Sequence, residues 1–440
     1  MTSSPPLLSA PAHVADVGRE LHAFVAEILP LRRCITGDGL RATLRAIGAR
    51  VLLDVTEVAS GTPVLDWTVP DEWAVRDAYL ALDGRRVLDW ADSALHLVQY
   101  SRPFRGRMPL SELRPHLHTL PDQPDLVPYR TTYYRDDWGF CLSQHALDNL
   151  EAEAGARDLE VVVDAELAPG SLTYGEVVLE GESEGEILVT AHACHPALAN
   201  DNAAGIAVAT ALAERLGGER MRHTVRVLFA PGTIGAITWL ARNRDRLDRI
   251  VGGIVLANLG DPGGLTYKRS RRGTLDSPAA VDRALEVAAR DLGLGLEVRS
   301  FAPTGYDERQ FGSPGFDLPV GRLTRTPHGE YPEYHTSGDS LELVQPWALA
   351  ESLAVLEAAV RALDADATYR NLEPYGEPQL GRRGLYSVLE GEAMQAVPWV
   401  LNLSDGSRSL LEVAQRSGLP LAALRRAADA LEDADLLAHA

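Results

Sequence analysis

At 440 residues, with 45% hydrophobic and 24% charged side chains, the chain has the make-up of an ordinary globular protein of two or three domains. A net charge of −20 leaves little basic surface for phosphates, which excludes nucleic acid as the main partner and disfavours an anionic membrane. Three cysteines, Cys34, Cys141 and Cys194, are too few for a disulfide framework, and no run approaches ~18 apolar residues. The Ser/Pro-rich start lacks a charged, apolar leader, so a cytoplasmic location is expected. Lys268 is the only lysine, which reads as codon bias towards arginine.

Residues 1–13 are expected to form a mobile tail. Over residues 14–31, Val17, Leu21, Phe24, Val25 and Ile28 recur on one side of a predicted helix. A second helix is predicted over 40–47. From 55 to 124 short alternating runs, broken by Gly61-Thr62-Pro63, Pro70-Asp71, Asp83-Gly84 and Pro121-Asp122, predict a small inserted β-rich module. Trp67, Trp73 and Trp90 are assigned to its core, because aromatic side chains dominate cores. His116 and His118 flank Leu117 and would share a face if that segment is a strand. With no third ligand nearby they predict a structural or substrate contact, not a metal site.

Beyond residue 125 the pattern alternates. Strands are predicted over 159–163, 175–179, 187–191, 224–230, 250–257, 296–301 and 318–323. Helices are predicted over 205–216, 234–243, 278–292 and 346–363. This predicts an α/β fold with a mainly parallel sheet and helices on both faces. Residues 375–384 are rich in Pro and Gly and read as a linker. The helices predicted at 410–415 and 421–431 surround Ser417-Gly418-Leu419-Pro420 and fit a winged helix. The expected domains are 14–54 with 125–370, the insertion 55–124, and 385–440.

The chain is organised around residues 185–214. The apolar run Ile187-Leu188-Val189-Thr190-Ala191 leads into His192, Cys194 and His195, then a short loop and an Ala-rich helix. A loop leaving the carboxyl end of a central strand is where open α/β sheets bind ligands. His195 and Asp201 are therefore expected at the sheet rim.

Asn200-Asp201-Asn202-Ala203-Ala204-Gly205 resembles the Asn-Asp-Asn-x-Ser/Ala-Gly signature of M28-type zinc aminopeptidases. The longer string from Cys194 to Asn202 resembles a bacterial group of aminopeptidase-like proteins. Members of that group carry a DUF4910 domain, an inserted DUF2172 module and a C-terminal winged helix. The resemblance spans nearly the whole chain and implies a phosphorylase/hydrolase-like α/β domain. It also implies a site pattern of a His, a bridging Asp, a Glu-Glu pair, an Asp and a late His. His195 matches the first position, with His192 as its competitor. Asp201 matches the bridging Asp, and His335 in Tyr334-His335-Thr336-Ser337-Gly338-Asp339 matches the late His.

Elsewhere the chain departs from that pattern. Pro231-Gly232-Thr233-Ile234-Gly235 falls where the Glu-Glu pair stands, and the narrower group shows Pro-Glu-Thr-Ile-Gly there. Thr233 thus replaces a metal ligand and Gly232 removes the general base. Asn258 lies near the expected Asp. The resemblance then implies one Zn2+ ion held by His195, Asp201 and His335, with an open position. Asp307-Glu308-Arg309-Gln310 is a further family feature. Asp307 or Glu308 would be a fourth ligand, an outer carboxylate or a replacement base, with Glu308 the first choice. Glu330 and Glu333 flank Tyr331 before His335. Arg271 and Arg272, beside Arg269, suit bidentate carboxylate recognition or a salt-bridged surface loop. Together with Tyr334 they are the expected substrate contacts. Cys194 is expected to be a buried thiol, not half of a Cys-His dyad.

These residues imply a zinc-dependent aminopeptidase-like hydrolase. Its substrate would be an amide or peptide bond of a short peptide or amino-acid-derived molecule that can carry a carboxylate. A biosynthetic role fits as well as protein turnover. The alternatives are acyl transfer or cyclisation, as in the single-zinc glutaminyl cyclases, and a non-catalytic binding or scaffold role, suggested by Gly232. Residues 401–440 hold four arginines against six carboxylates, a net −2, the wrong sign for DNA. That module is expected to pack on the catalytic domain or on a second subunit.

Overall fold

The computed structural model describes residues 11–274 and 276–440. Residues 1–10, most of the expected tail, lie outside them. Eight strands form the main sheet. Their spatial order is Asp54–Ala59, Ser171–Leu179, Thr224–Ala230, Glu186–His192, Ile250–Leu256, Val320–Thr324, Leu265–Lys268, Leu296–Arg299. The four central strands run parallel, and antiparallel pairings occur at both flanks. Glu186–His192 sits between two parallel neighbours and is buried at every residue. That explains its unbroken apolar run, since a strand covered on both faces needs no polar alternation.

The helices Pro11–Ile28, Gly205–Leu216, Ala280–Asp291 and Pro346–Asp364 pack together in the core on one face. The other core joins the helix Ile234–Arg242 to an antiparallel sheet of order Arg85–Asp89, Glu72–Leu82, Asp158–Ala168, Phe104–Pro109. The β-rich unit therefore does not coincide with 55–124. Asp54–Ala59 pairs into the main sheet, and Asp158–Ala168 is taken from downstream. Trp73 is buried in this second core, but Trp67 is exposed and Trp90 stacks under the Arg32 guanidinium. His116 lies in a helical turn and stacks on Trp138, so it does not share a strand face with His118.

The C-terminal unit is a three-stranded sheet with the helices Gly391–Leu403, Leu410–Ser417 and Leu421–Asp433. Its middle strand is Thr368–Asn371, ahead of the Pro/Gly-rich stretch. Residues 375–384 are thus a loop inside this unit and not a linker before it. The turn between the last two helices is closed by Gly418 at φ 72°, a left-handed conformation that glycine adopts without penalty. The unit packs on the main domain along Ala280–Asp291. Arg283 pairs with Glu412 at 3.1 Å, Gln415 donates to Glu286 at 3.1 Å, and the Leu421 amide donates to Asp291 at 2.9 Å. Among the described residues no helix is long and apolar enough to cross a membrane.

Candidate active site

The segments that follow four parallel strands converge. His192 ends one strand, Gly232 and Asn258 follow two others, and residues 325–335 follow Val320–Thr324. They border a cavity of about 690 Å³ lined by His192, His195, Gly232, Tyr306, Asp307 and His335, among others. This is the crevice at strand carboxyl ends where such sheets bind ligands.

Asp201 is the hub. It is fully buried, with Oδ1 2.9 Å from His192 Nε2 and Oδ2 3.0 Å from His335 Nε2. Its own backbone amide and that of Asn200 donate to Asp339, which fixes the loop. Gly205 closes the signature for a steric reason, since a Cβ there would strike the Asn202 side chain. The Asp201–Asn202 and Gly232–Thr233 peptide bonds are cis. His192, His195 and Asp201 bring one ligand atom each to within 4.8 Å of one another, and the His195 and His335 rings are 5.1 Å apart. Burial alone would raise the Asp201 pKa. The nearby imidazoles of His195 and His192, and the hydrogen bonds from His192 and His335, instead hold it well below the usual carboxylate range. Burial holds the His195 pKa well below normal, so its ring is neutral.

Aromatic rings brace the imidazoles. Tyr334 stacks on His335 at 4.0 Å and Tyr306 on His192 at 5.0 Å, while Tyr129 meets both His195 and His335 edge-on. Asn258 is buried and donates to the Tyr306 hydroxyl at 3.0 Å, so it steadies the ring that backs His192. Buried Arg33 donates to the His195 carbonyl at 2.8 Å. Tyr129, Tyr306 and Arg33 carry no motif, and only the fold reveals them.

The sequence-predicted residues divide into two groups. His195, His335, Asp307 and Tyr334 line the cavity, with Asp201 behind them. Glu308, the first choice for a replacement base, does not line it. It is fully buried, 2.5 Å from Lys268 Nζ and 3.3 Å from Arg322 Nη1. Its neighbour Asp307 is the carboxylate in the cavity, and burial pushes its pKa up to about 7. Arg271 and Arg272 also stand elsewhere, paired with Asp317 at the surface. The arginines on the cavity wall are Arg130 and Arg309. Glu330 pairs with Arg299 at the surface. Cys194 is a buried thiol with its pKa raised by burial, and its Sγ lies 3.8 Å from His195 Nδ1.

The donor chemistry suits zinc. Three imidazoles surround an ionised carboxylate, with His192 and Asp201 buried and His195 and His335 half-buried on the cavity. The His195 and His335 rings are 5.1 Å apart and the His192 and His195 rings 4.9 Å, so either pair is close enough to share one ion.

A mainly parallel sheet with a buried His/Asp cluster at its carboxyl edge defines an aminopeptidase-like α/β protein. The chain belongs to the DUF4910 family: residues 22–366 match that domain of unknown function, and 367–439 match a winged helix-turn-helix. A Clostridium acetobutylicum relative is 43% identical over 429 residues, covering 96% of this chain and 97% of its own. It is described as a candidate polysaccharide biosynthesis protein with an aminopeptidase-like domain. A crystal structure of a candidate peptidase from Clostridium acetobutylicum aligns over 98% of both chains at 42% identity, with a TM-score of 0.89. A zinc aminopeptidase from Bacillus subtilis aligns over 79% of this chain and 97% of its own, at 15% identity and a TM-score of 0.58. That last likeness establishes the shared fold.

Proposed function

We propose that the chain is a zinc-dependent amide hydrolase of aminopeptidase type, acting on a short peptide or an amino-acid-derived small molecule. The observation that carries this reading is the buried Asp201 carboxylate, whose two oxygens each meet a different imidazole at 2.9 and 3.0 Å, both imidazoles lining the cavity at the strand ends. His195, Asp201 and His335 would hold one ion. A bound zinc supplies Lewis-acid polarisation of the carbonyl and an acidified water.

His192 takes a different role, argued from its hydrogen bonds. The Asn202 amide nitrogen donates to the Leu256 carbonyl at 2.9 Å, which fixes the orientation of that amide. The same nitrogen also faces the His192 carbonyl at 3.3 Å and His192 Nδ1 at 3.2 Å, and the ionised Asp201 Oδ1 at 2.9 Å favours the proton on Nε2. This reading gives His192, which lies deeper than His195 and His335, the outer role of orienting the carboxylate.

Asp307 is the general base in this reading. Its carboxylate borders the space left by Gly232, and it would take a proton from the attacking water. Tyr334, Arg130 and Arg309 border the substrate space. The relative described as a polysaccharide biosynthesis protein supports a biosynthetic setting. The test is turnover of aminoacyl amides and short peptides by zinc-loaded protein, with Asp307→Asn as the control. Hydrolysis by the wild type and its loss in the variant supports the reading. No turnover of any such amide by the zinc-loaded wild type overturns it.

A further inference from the structure

One buried charged cluster has no place in that chemistry. Lys268, Glu308 and Arg322 are all buried, with Glu308 Oε1 held by Lys268 Nζ at 2.5 Å and Arg322 Nη1 at 3.3 Å. Glu308 Oε2 and Arg322 Nε have no hydrogen-bond partner. The cluster lies directly behind the cavity wall at Gly305. A Cβ there would meet Arg322 Nη1 and Glu308 Oε1 at 2.5 Å and Lys268 Nζ at 3.2 Å, and Gly305 also has φ +124°. Lys268 further donates to the Ala302 and Thr304 carbonyls, at 2.9 and 2.6 Å, and so secures the loop that leads to Tyr306 and Asp307.

The cluster reaches the cavity through His328. Arg322 Nη1 is 3.3 Å from His328 Nδ1, and His328 lines the cavity. A guanidinium only donates, so Nδ1 must accept, and the ring proton sits on Nε2. Among the described residues, that Nε2–H group meets no hydrogen-bond acceptor. Burial first, then the Arg322 charge, lowers the His328 pKa, so the ring is neutral. Arg309 lines the same cavity. Within the buried cluster two cations, Lys268 and Arg322, meet the single carboxylate of Glu308, so a net positive charge backs His328.

We propose that His328 and Arg309 form a subsite for a carboxylate of the substrate, with Arg322 as the positioning residue that locks His328 as the Nε2–H donor. The subsite is separate from the Asp201 cluster: the Tyr306 ring, 5.5 Å from His328, and the Tyr334 ring, 6.1 Å from it, stand between His328 and the stacked His192 and His335. It would therefore read a group beside the scissile bond, not the bond itself. This deepens the amide-hydrolase reading and rests on it for the identity of the substrate.

The experiment has two arms on the full-length protein. In the first, ¹⁵N NMR of the histidine rings reads the His328 tautomer, and succinate is titrated as the probe. The wild type should show Nε2–H, Arg322→Met should show mixed tautomers, and succinate should shift the His328 signals. In the second, the zinc-loaded enzyme is given Ala-Ala and its C-terminal amide. The acid should have a KM about tenfold lower, as expected for a charge-assisted hydrogen bond. His328→Phe and Arg309→Gln should erase that preference, bringing KM for the acid up to that for the amide, and His328→Gln, which keeps a donor, should retain part of it. If Arg322→Met fails to fold, the two cavity-wall variants still decide the question. A shifted Nε2–H signal without any amide turnover leaves the subsite standing and removes the hydrolase reading. Turnover with equal KM for acid and amide, or an Nδ1–H tautomer in the wild type, overturns the subsite.

Discussion

Asp307 Oδ2 lies 3.5 Å from the point where a Cβ on Gly232 would sit. Two loops thus share one space: the missing side chain of one leaves room for the carboxylate of the other. If Asp307 is the base, Asp307→Asn should lower kcat by about 10²–10⁴-fold, the usual contribution of a general base. The far-UV spectrum and the zinc content should not change. Gly232→Glu would crowd Asp307 and His192, whose Cβ is 3.3 Å from the same point, and should lower activity instead of raising it. Steady-state kinetics on an aminoacyl amide checks both, and a gain in Gly232→Glu would refute the shared-space account.

The same residue sets a pH dependence. Burial, opposed by His192 and Arg309 and assisted by Glu308, leaves the Asp307 pKa raised to about 7. The base works deprotonated, so kcat/KM should rise with pH up to a midpoint at or below about 7 and then level off. Bound zinc adds positive charge and moves the midpoint further down. An acid limb that survives intact in Asp307→Asn would assign it to another group.

Glu308 answers a different question from its neighbour. Glu308→Gln leaves Lys268 and Arg322 buried without their shared carboxylate, each within 3.3 Å of it in the wild type. Removing one partner of a buried ion pair costs about 3–5 kcal/mol, so the variant should unfold at markedly lower denaturant. Stability equal to wild type, with activity lost, would return Glu308 to the chemistry.

Arg271→Ala and Arg272→Ala should be nearly silent. Both residues pair with Asp317 at the surface, and exposed ion pairs contribute about 0–1 kcal/mol. KM for a carboxylate-bearing peptide should not change in either variant. A several-fold rise would place the substrate on that loop.

Much of this was legible in the sequence. The unbroken apolar runs gave the buried parallel strands, and the structure brings the two distant motifs together, with Asp201 buried against His335 on the cavity. The boundaries were less legible, because strand pairing is non-local. Nothing in Asp158–Ala168 says that it joins the sheet of Glu72–Leu82, and nothing in Thr368–Asn371 says that it precedes its own domain's loop. The choice between Asp307 and Glu308 was also hidden. Adjacent residues on one short turn face opposite environments, and only the positions of Lys268, Arg322 and Gly232 decide which one meets the cavity. His192 was legible as a histidine near the site, but its contacts with Asp201 and Asn202 depend on how the loop folds.

The winged helix should not bind DNA. Its segment 401–440 has four arginines against six carboxylates, and its helix Leu410–Ser417 is engaged with the main domain. A charge of this sign cannot release counterions from a phosphate backbone. Fluorescence anisotropy with duplex DNA should show no salt-sensitive binding at micromolar full-length protein, and such binding would contradict the docked role.

The central claim is one zinc ion held by His195, Asp201 and His335, with His192 as the outer donor. Elemental analysis of the purified chain and its variants tests it most directly. The account predicts one zinc per wild-type chain and most of it lost in His335→Ala. In His192→Gln it predicts retention with affinity weakened by about 10–100-fold, as for an outer hydrogen-bonding partner. Two zinc ions per chain, or unchanged zinc in His335→Ala, would contradict it.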